Sequence, residues 1–477
     1  MDVRKLLTNV AVKRIINYRE IDVKKVASDS RECKEGSLFV CLSGGKTDGH
    51  LYIPQAEERG AVALVTEREI ESALPQFVVE NARVALALIS GNFYGNPADK
   101  LHLITIVGTN GKTSTAEILS EIFSYAGYSS ATIGTLGYKI GGERFEGTLT
   151  TPDPIELHRK LAEMAEKKVE YVFLEASAHA IHYHKLAGIK AKASVLTNIT
   201  QDHLDFFKTM EAYAAVKLSY FRHENTCLAV VNSDDSYGRR LLQSQSVPTI
   251  SYGIENPADV FAINVEEGEE GLSFTINAFD MIEQIRTPLH GNFNVYNIMG
   301  ATAIAMYFGI SLPVISRALA KMGVVPGRYD VKYVRGRKVV VDYAHTPDGL
   351  DNLLRDVARD KVGKLITVFG CGGNRDQSKR PIMGRIASRY SDLVIITNDN
   401  PREEEPQRIA DDIRVGILAD SMSETVIDRA AAIRRAFELS EQGDTIVIAG
   451  KGHEMTMEIK GKKYPYSDYQ ILEELDR

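Results

Sequence analysis

The stretch GTNGKTST at residues 108–115 has the residue types of a loop that binds phosphate groups. It lies between an apolar run and a pattern of apolar residues at helical spacing, which is the setting that such a loop requires. Its glycines let backbone N–H groups approach phosphate oxygens, and the start of the helix adds a partial positive charge. We expect Lys112 to reach the outer phosphates and Thr113 to hold Mg²⁺. The alternative is a glycine-rich turn with a surface lysine.

Two further side chains lie at predicted strand ends and could hold a second Mg²⁺. Glu175, in FLEASAHA, lies at the end of one predicted strand, and His203, in TNITQDHLDFF, lies just past another. Magnesium prefers carboxylate and water, and substrate phosphates complete its octahedron. Taken alone, each residue is more often a structural cap or a core residue than a metal ligand, but beside a triphosphate loop the metal interpretation is favoured.

Two predicted helices carry polar residues for which the sequence allows two roles. Lys217 is the one lysine among the apolar residues of EAYAAVKLSYF, and composition alone favours a lysine whose stem packs on the core. Asn294 and Asn297 are three residues apart, on one face of a predicted helix start. Helix caps or a contact to adenine would both explain this pair.

The composition is that of a soluble globular protein with several domains. The chain has 477 residues, 44% of them apolar, and a formal net charge of −7, so a nonspecific nucleic-acid binder is disfavoured. No signal peptide is apparent at the start, and no apolar run reaches the roughly 20 residues that cross a bilayer. The four cysteines lack metal-like spacing and are typical of reduced thiols in a cytosolic protein.

Apolar runs alternate with helical patterns along the chain, which predicts an α/β fold with mostly parallel sheets covered on both faces. The run at residues 103–107 is one predicted buried strand. Near the end of the chain, four β-branched runs each finish in a polar loop rich in glycine or proline. Ligands of open α/β sheets bind beyond the carboxyl ends of strands, so these loops suggest one site. The four loops follow RKVVVD, KLITVF, DLVIIT and DTIVIA.

Taken as a set, the motifs resemble the Mur ligase family and occur in its order along nearly the whole chain. The stretch SDSRECKEGSLFVCLSGGKTDGH resembles the N-terminal domain of one branch, whose members add the third residue of the peptidoglycan stem peptide. The motifs that carry the resemblance are GTNGKTST, EASAHA, TNITQDHLD, YAAVKLSYF, GNFNVYN, PGRYD, DYAHTPD, FGCGGNRD and DNPR.

The resemblance implies three domains. Residues 1–98 would bind a uridine nucleotide, residues 99–327 would form a P-loop-type ATPase with a mostly parallel sheet, and residues 328–477 would form a Rossmann-like domain for the incoming amino acid. The linkers near 95–100 and 322–328 are the expected hinges.

The reaction implied by the resemblance is the ATP- and Mg²⁺-dependent addition of an amino acid to UDP-N-acetylmuramoyl-L-alanyl-D-glutamate, in the cytoplasm, through an acyl phosphate. We expect a monomer that neither binds nucleic acid nor inserts into a membrane. In this family the lysine that matches Lys217 is carbamylated, which turns an amine into an anionic oxygen ligand for magnesium.

The resemblance also assigns residues to each substrate. The residues expected at ATP are Gly108, Thr109, Asn110, Gly111, Lys112, Thr113, Ser114, Asn294, Asn297, Arg328 and Asp342. Those expected at the uridine nucleotide and its acyl peptide are Ser28, Ser30, Gly45, Lys46, Thr47, Thr150, Thr151, Ser177, Tyr183 and Lys185. Those expected at the amino acid are Arg380, Asp399, Asn400, Pro401, Arg402, Gly450 and Glu454. The catalytic and metal-holding group is Lys112, Thr113, Glu175, His203 and carbamylated Lys217.

Four positions differ from the residue types that the family leads us to expect. Tyr183 and Lys185 stand where glutamine and arginine are expected. Ser28 takes a place that is often apolar, and Asp330 replaces a common glutamate.

Arg402 in the DNPR loop predicts that the amino acid used is meso-diaminopimelate, in preference to L-lysine. L-Lysine and meso-diaminopimelate differ by one distal carboxylate, and a guanidinium fork matches a carboxylate best. Glu454 would then receive the distal ammonium. The alternative is that Arg402 merely pairs with Glu403–Glu405. Other functions left open are a lysine-adding ligase, a folylpolyglutamate-type ligase, a P-loop NTPase switch or motor, and a non-catalytic nucleotide-binding subunit.

Overall fold

The structure is a computed structural model that describes residues 1–45, 47–147 and 149–477. Lys46, which the sequence places at the uridine nucleotide, lies outside the described residues. The described residues form three large α/β units along the chain, each built around its own sheet, and a small two-stranded hairpin.

The first unit is a five-stranded sheet in the order β1-β5-β4-β3-β2, in which only β1 is antiparallel to its neighbour. Its strands are β1 Val12–Ile16, β2 Lys25–Ala27, β3 Ser37–Val40, β4 Ala61–Thr66 and β5 Gln76–Val79. Its helices are α1 Val3–Leu6, α2 Ile53–Glu58 and α3 Ala82–Phe93, with 3₁₀ helices at Ser30–Glu32, Gly49–Tyr52 and Pro97–Lys100.

The second unit is an eleven-stranded sheet in the order β16-β15-β14-β13-β12-β11-β6-β10-β7-β8-β9. Its strands are β6 His102–Val107, β7 Ser130–Gly134, β8 Gly137–Ile140, β9 Glu143–Phe145, β10 Tyr171–Ala176, β11 Ala193–Leu196, β12 Ala229–Asn232, β13 Thr249–Gly253, β14 Val260–Gly268, β15 Gly271–Ala278 and β16 Met281–Thr287. Its helices are α4 Lys112–Tyr125, α5 Pro154–Glu166, α6 Ala178–His182, α7 Leu204–Phe207, α8 Met210–Leu218, α9 Ser236–Ser244, α10 Phe293–Tyr307 and α11 Leu312–Lys321.

The third unit is a six-stranded sheet in the order β17-β18-β22-β19-β20-β21, parallel except for β17. Its strands are β17 Asp330–Val334, β18 Arg337–Asp342, β19 Leu365–Phe369, β20 Leu393–Ile396, β21 Met422–Thr425 and β22 Thr445–Ala449, and the separate hairpin is β23 Thr456–Ile459 with β24 Lys462–Pro465. Its helices are α12 Pro347–Asp360, α13 Lys379–Tyr390, α14 Pro406–Arg414, α15 Arg429–Leu439 and α16 Asp468–Asp476.

The predicted covering of the central sheet on both faces is confirmed by strand β6. Ile104 and Ile106 belong to one hydrophobic core, and Leu103 and Val107 belong to another. Because side chains alternate along a strand, these two cores lie on opposite faces of the sheet. A strand buried on both faces needs a continuous apolar run, which is the pattern in the sequence.

Two features of the central sheet were not expected from the sequence. Strands β14, β15 and β16 form an antiparallel extension at one edge, and β7, β8 and β9 form another at the opposite edge. The predicted linker at 95–100 is largely the 3₁₀ helix Pro97–Lys100, whereas 322–328 lies between α11 and β17 without helix or strand. The domain boundaries at 98/99 and 327/328 stay predictions.

No helix of the described residues has the length and apolar character needed to cross a membrane.

A buried ion pair joins helix α16 to helix α15. Both Arg429 and Asp468 have fully buried side chains, and they form two hydrogen bonds of 2.8 Å. We expect Asp468→Ala to lower the free energy of unfolding of this unit by about 3–5 kcal/mol, because it leaves the Arg429 charge buried without a partner. Differential scanning calorimetry measures this change.

The matched control is Glu474→Ala, which removes an exposed pair with Arg434 between the same two helices, α15 and α16. Exposed pairs contribute about 0–1 kcal/mol, so this variant should melt close to wild type. Equal shifts in the two variants would contradict the role given to burial.

His158 on α5 gives the protein a pH-dependent stability. Neither ring nitrogen has a hydrogen-bond partner, and burial lowers the pKa of His158 to about 4. Between pH 6.5 and 4 the unfolded chain binds a proton that the folded chain does not, so stability falls as the pH falls. Protonation linked to this histidine should lower the free energy of unfolding by roughly 3 kcal/mol over that pH range.

The measurement compares unfolding of wild type and His158→Leu at pH 7 and pH 5. The leucine variant should lose less stability on acidification than wild type does. The exposed His223 provides the control, since His223→Leu should leave the pH dependence unchanged. Identical pH dependence in wild type and His158→Leu would overturn this assignment.

Candidate active site

A cleft of about 1060 Å³ lies where the strand ends of the second and third units meet. Many of the residues predicted from the sequence line it together, although they are far apart in the chain. These residues are Thr109, Asn110, Gly111, Lys112, Thr113, Ser114, Thr150, Glu175, Ser177, His203, Asn297, Arg328, Asp342, Asp399, Asn400, Arg402, Gly450 and Glu454. One cleft therefore joins the phosphate loop to the DNPR loop.

Several predicted residues are outside this lining. They are Gly108, Asn294, Lys217, Ser28, Ser30, Gly45, Thr47, Thr151, Tyr183, Lys185, Arg380 and Pro401. Some of them stand directly behind residues of the cleft wall, and others belong to the first unit.

The phosphate loop runs from the end of β6 into α4, as the sequence predicts. Gly111 has a φ of 83° at the N-cap position of the helix, a conformation that suits glycine. The Lys112 Nζ donates to the carbonyl oxygens of Gly108 and Thr109 at 2.9 and 2.8 Å. Lys112 thus curls over its own loop. Burial lowers the pKa of Lys112, while the nearby carboxylates of Glu175 and Asp202 oppose that shift.

A neighbouring loop holds the phosphate loop in shape. The Thr197 Oγ1 donates to the Asn110 carbonyl at 2.6 Å, and the Asn110 N–H donates to the Asn198 side chain at 2.9 Å. Both residues follow β11, the strand next to β6 in the sheet. Because these bonds involve the loop backbone, they fix its N–H groups in the orientation that phosphate binding needs.

Asn294 and Asn297 act at different depths in α10. Asn297 contacts the phosphate-loop helix, where its Oδ1 accepts from Thr115 Oγ1 at 3.3 Å, and it lines the cleft. Asn294 is 1% exposed; its amide donates to the His290 carbonyl at 2.7 Å and its Oδ1 accepts from Asn297 at 2.9 Å. Asn294 therefore orients Asn297 from behind in this structure.

Arg328 contacts the phosphate loop from the side of the third unit. Its Nη2 donates to Thr113 Oγ1 at 3.1 Å, and its guanidinium lies over the Tyr343 ring at 4.3 Å. Its Nε is buried without a partner among the described residues. Asp342 ends β18 on the same wall, where burial raises the pKa of its carboxyl group.

Glu175 is held rigidly at the end of β10. Its two carboxylate oxygens accept from the N–H and hydroxyl of Thr135 at 2.9 and 3.0 Å. A Cβ on Gly134 would come within 2.0 Å of the Glu175 carboxylate, so this position needs glycine. No cationic side chain of the described residues pairs with Glu175, which leaves its charge for a ligand in the cleft.

His203 stands beside a buried carboxylate that sequence reasoning missed. Asp202 lies 3.3 Å from the His203 Nε2 and 3.6 Å from the Lys379 Nζ. Burial opposes ionisation of Asp202, but Lys379, His203 and His345 hold its pKa below the ordinary value. Burial lowers the pKa of His203 to about 3, so its imidazole is neutral and able to act as a ligand.

Lys217 is buried directly behind the phosphate loop. Its Nζ lies 3.3 Å from Thr109 Oγ1 and 4.4 Å from the centre of the Tyr213 ring, and no carboxylate of the described residues pairs with it. Burial, and then the charge of Lys112, lower the pKa of Lys217 well below its usual value. An unpaired buried lysine costs stability unless it is neutral or modified, so this environment favours the uncharged amine.

The donor set suits a hard cation that takes most of its ligands from substrate and water. The described residues contain no group of three or more histidine, cysteine, aspartate or glutamate side chains that could hold a metal alone. Thr113, Glu175 and His203 nevertheless line one cleft with the phosphate loop. Magnesium is bound in this way, by one or two protein groups together with substrate phosphates.

The residues predicted to hold the acyl peptide form a connected group at one end of the cleft. Thr151 Oγ1 donates to the Glu175 carbonyl at 2.7 Å and accepts from the Ser177 N–H at 3.0 Å. Thr150 contacts Thr135 at 3.2 Å, and the Lys185 Nζ lies 2.8 Å from Asp153. This group is therefore joined to the β10 end that carries Glu175.

The first unit reaches the same end through an aromatic contact. The Arg83 guanidinium lies 4.4 Å from the centre of the Tyr183 ring. Ser30 is buried and donates to Gln55 at 2.5 Å, while Ser28 is half-buried. Gly45 and Thr47 are described residues, whereas Lys46 between them in the sequence is not.

The prediction for Arg380 is corrected by its surroundings. Arg380 is 0% exposed, and its two Nη groups pair with Glu404 and Asp412 at 2.9 and 2.8 Å. It faces α14, away from the cleft, because it lies on α13. Arg375, in the loop directly after β19, lines the cleft instead and makes no ion pair with a carboxylate of the described residues.

Arg402 and Arg375 lie together in the cleft. Arg402 does not pair with Glu403–Glu405; its Nε lies 3.1 Å from Glu458, and its Nη1 donates to the Gly373 carbonyl at 2.8 Å. Burial, and then the positive charge of Arg402, lower the pKa of Arg375. Two guanidinium groups at one site form a positively charged region that suits an anionic ligand such as a carboxylate.

The other residues of the predicted amino-acid site surround the DNPR loop. The Glu454 carboxylate accepts from Lys451 Nζ at 2.6 Å and from the Asn400 amide at 2.9 Å. Asp399 is buried next to Gly450, where a Cβ would come within 2.7 Å of its carboxylate. Pro401 is buried behind the loop and presents no side chain to the cleft.

Family models match all three units of the chain. The Mur ligase middle domain matches residues 106–305, the Mur ligase glutamate ligase domain matches 327–452, and the Mur ligase family catalytic domain matches 22–93.

Two named relatives match almost the full length of the chain. A protein of Aquifex aeolicus named UDP-N-acetylmuramoyl-L-alanyl-D-glutamate--2,6-diaminopimelate ligase is 42% identical over 95% of this chain and 93% of its own. A Bacillus licheniformis protein of the same name is 39% identical over 99% and 98%.

Solved structures agree with these matches. One ligase of that same name has a TM-score of 0.68 and 31% identity over 95% of this chain and 94% of its own. A folylpolyglutamate synthase of Mycobacterium tuberculosis covers 77% of this chain and 92% of its own with a TM-score of 0.65, and at 18% identity it shares the fold alone.

Proposed function

The chain belongs to the Mur ligase family, and we propose that it uses ATP to join meso-2,6-diaminopimelate to UDP-N-acetylmuramoyl-L-alanyl-D-glutamate. The main observation behind this proposal is that one cleft contains both the phosphate loop and the two neighbouring guanidinium groups of Arg402 and Arg375. A phosphate loop alone would suit many nucleotide enzymes. The paired guanidiniums add a site for a substrate carboxylate at the far end of the same space.

The first step makes the glutamyl carboxylate reactive. A carboxylate oxygen of the acyl substrate attacks the terminal phosphorus of ATP, ADP leaves, and an acyl phosphate results. In such a phosphoryl transfer, the protein mainly positions the reacting groups and stabilises the charge that develops on them. Lys112 and the N-terminus of α4 supply positive charge at the transferred group, and the fixed backbone of the loop supplies hydrogen bonds.

Magnesium would be held by Thr113, Glu175 and His203, and when bound it neutralises negative charge on the phosphates. Thr135 fixes the Glu175 carboxylate for this purpose through two hydrogen bonds. Because His203 is neutral, it offers a lone pair and adds no positive charge near the metal.

Lys217 would add an anionic ligand as a carbamate. The neutral amine attacks carbon dioxide, forms an N–C bond and loses a proton, which gives a negatively charged group. Burial in this position favours the neutral amine that the reaction requires. The resulting anion would offset the positive charge of Lys112 next to it and offer oxygen to a hard cation.

The second step forms the amide bond. The free amine of diaminopimelate attacks the acyl carbon, and the tetrahedral intermediate expels phosphate as the nitrogen loses its proton. Water competes for the acyl phosphate, so the units must close around it. Contacts across the cleft support such a closed arrangement, among them Asn110 with Asp348 at 2.8 Å and Asp202 with Lys379 at 3.6 Å.

Selectivity for the amino acid would come from the DNPR end of the cleft. Arg402 and Arg375 receive the distal carboxylate, and the Glu454 carboxylate receives the distal ammonium. This assignment replaces Arg380, whose guanidinium is already paired away from the cleft. L-Lysine lacks the distal carboxylate, so it would leave both arginines without an anionic partner in a partly desolvated site.

We also propose that the protein works as a monomer in the cytoplasm. The precursor nucleotide, ATP and a free amino acid are water-soluble, and all three would enter one cleft of a single chain.

The test is to incubate the purified protein with ATP, Mg²⁺ and the UDP-muramoyl dipeptide, adding either meso-diaminopimelate or L-lysine. Mass spectrometry should detect a product heavier by one diaminopimelate residue and little of the lysine adduct. A lysine adduct formed as readily would favour the lysine-adding alternative, and no adduct with either would overturn the proposal.

A further inference from the structure

Arg402 has an unusual backbone conformation that something must hold. Its φ is 51°, in the left-handed region that non-glycine residues rarely adopt. The hairpin of β23 and β24 supplies the support. The Arg402 N–H donates to the Glu458 carbonyl at 3.1 Å, and the Lys460 N–H donates to the Arg402 carbonyl at 2.8 Å.

The same hairpin is attached to the residue two positions earlier in the loop. The Asn400 side-chain oxygen accepts from the Glu458 N–H at 2.8 Å and from the buried Lys451 Nζ at 3.1 Å. Three hydrogen bonds therefore join this loop to the hairpin backbone, two at Glu458 and one at Lys460. An isolated two-stranded hairpin is only marginally stable, so these bonds also fix the hairpin itself.

The Glu458 side chain then fixes the guanidinium. Its carboxylate lies 3.1 Å from the Arg402 Nε, while the Arg402 Nη1 donates to the Gly373 carbonyl at 2.8 Å. With two donors held, the plane of the guanidinium is set, and among the described residues Nη2 has no partner. Gly372 lies beneath this group, since a Cβ there would come within 3.0 Å of Nη1.

Glu458 itself is not among the residues that line the cleft, whereas Arg402 and Arg375 are. It therefore acts on a ligand through Arg402 alone. We propose that Glu458 is a positioning residue that orients the Arg402 guanidinium toward the distal carboxylate of the incoming amino acid. This inference rests on the proposed function, because it concerns how the same site recognises diaminopimelate.

The orientation matters because a guanidinium recognises a carboxylate through a planar fork. A rotated or mobile fork loses the parallel hydrogen bonds and must be ordered again when the ligand binds. Loss of this orientation should therefore weaken the binding of the amino acid and leave the binding of the nucleotide unchanged.

The experiment measures KM for meso-diaminopimelate, KM for ATP and kcat in three variants of the full-length protein. Glu458→Ala removes the acceptor, and Glu458→Gln keeps an oxygen that accepts from Nε while removing the charge. Glu403→Ala is the matched control, because Glu403 is an exposed acidic residue next to Arg402 that forms no ion pair with it.

We expect Glu458→Ala to raise KM for diaminopimelate about tenfold and Glu458→Gln to stay within about twofold of wild type, since only the alanine lets the guanidinium turn. Glu403→Ala should match wild type, and KM for ATP should be unchanged throughout. Calorimetric titration with diaminopimelate should show the same order of affinities without turnover.

An unchanged or lowered KM in Glu458→Ala would overturn the inference, and so would an equal rise in the glutamine variant, because that result would make charge the cause. These outcomes all presuppose a wild type that turns over with diaminopimelate. A wild type without binding or turnover would instead overturn the proposed function and, with it, this role of Glu458.

Discussion

Lys217→Ala should fold normally and lose nearly all ligase activity. The variant removes the amine that would carry the carbamate, so the site loses an anionic ligand next to Lys112. Because Lys217 forms no ion pair with a carboxylate of the described residues, its removal strands no opposite charge. The loss should therefore appear in kcat, and the melting temperature should change little. Steady-state phosphate release and thermal unfolding measure the two effects.

Chemical rescue separates the carbamate from a packing role. Short carboxylates such as formate and acetate, at high concentration, should partly restore turnover by placing an anion in the vacated space. Acetamide is the control, because it resembles acetate in shape and lacks the charge. Wild-type turnover in Lys217→Ala would mean that the lysine only packs. Equal rescue by acetamide would show that volume is what matters.

Arg402→Ala should raise KM for meso-diaminopimelate by orders of magnitude and barely change KM for ATP. The variant leaves the distal carboxylate with Arg375 as its one remaining guanidinium. Truncating one partner of a desolvated charge pair costs roughly 2–5 kcal/mol, part of which is the penalty of leaving the other charge unpaired. The phosphate loop lies at the other end of the cleft, so ATP binding should be spared.

The control for Arg402→Ala is Arg408→Ala on α14. Arg408 is an exposed arginine a few residues further along, and it does not line the cleft. This variant should keep both KM values. The expected difference between the two variants excludes a general effect of lowering the positive charge of the third unit. An unchanged KM for diaminopimelate in Arg402→Ala would contradict the assignment of this loop.

Local patterns in the sequence predicted the parts of the site that depend on strand ends. The apolar run before Gly108 and the helical spacing after it identify the phosphate loop, because both signals lie within a few residues of the motif. Glu175 likewise lies near the end of strand β10, and Arg402 lies in the loop that follows strand β20. Parallel strands that end at one edge bring such residues into one cleft.

The sequence motif predicted Arg380 at the amino-acid site, whereas the structure places Arg375 in the cleft. Both arginines lie in the segment that follows β19, but Arg380 is already on α13, where its guanidinium pairs with Glu404 and with Asp412 of α14. Arg375 precedes the helix and stays at the strand end. A stricter use of the strand-end rule would have selected Arg375, since a residue inside a helix no longer faces the sheet edge.

Other features had no local signal. Asp202 is one such residue, because its contact with Lys379 joins two distant parts of the chain. Glu458 lies on a hairpin whose only visible pattern is a polar turn. The antiparallel extension β14–β16 differs from these two, because β15 alternates apolar and polar residues from Leu272 to Ala278. That alternation is typical of a half-buried strand, so the sequence does carry a local signal for this extension.

The most direct test of the account measures phosphate release from ATP under four conditions. The protein is supplied with Mg²⁺ and ATP alone, with the UDP-muramoyl dipeptide added, and with the dipeptide plus either meso-diaminopimelate or L-lysine. We predict sustained release only when the dipeptide and diaminopimelate are both present, with far slower release for lysine. Equal release without any amino acid would identify a nucleotide hydrolase, and equal release with the two amino acids would contradict the role of Arg402 and Arg375.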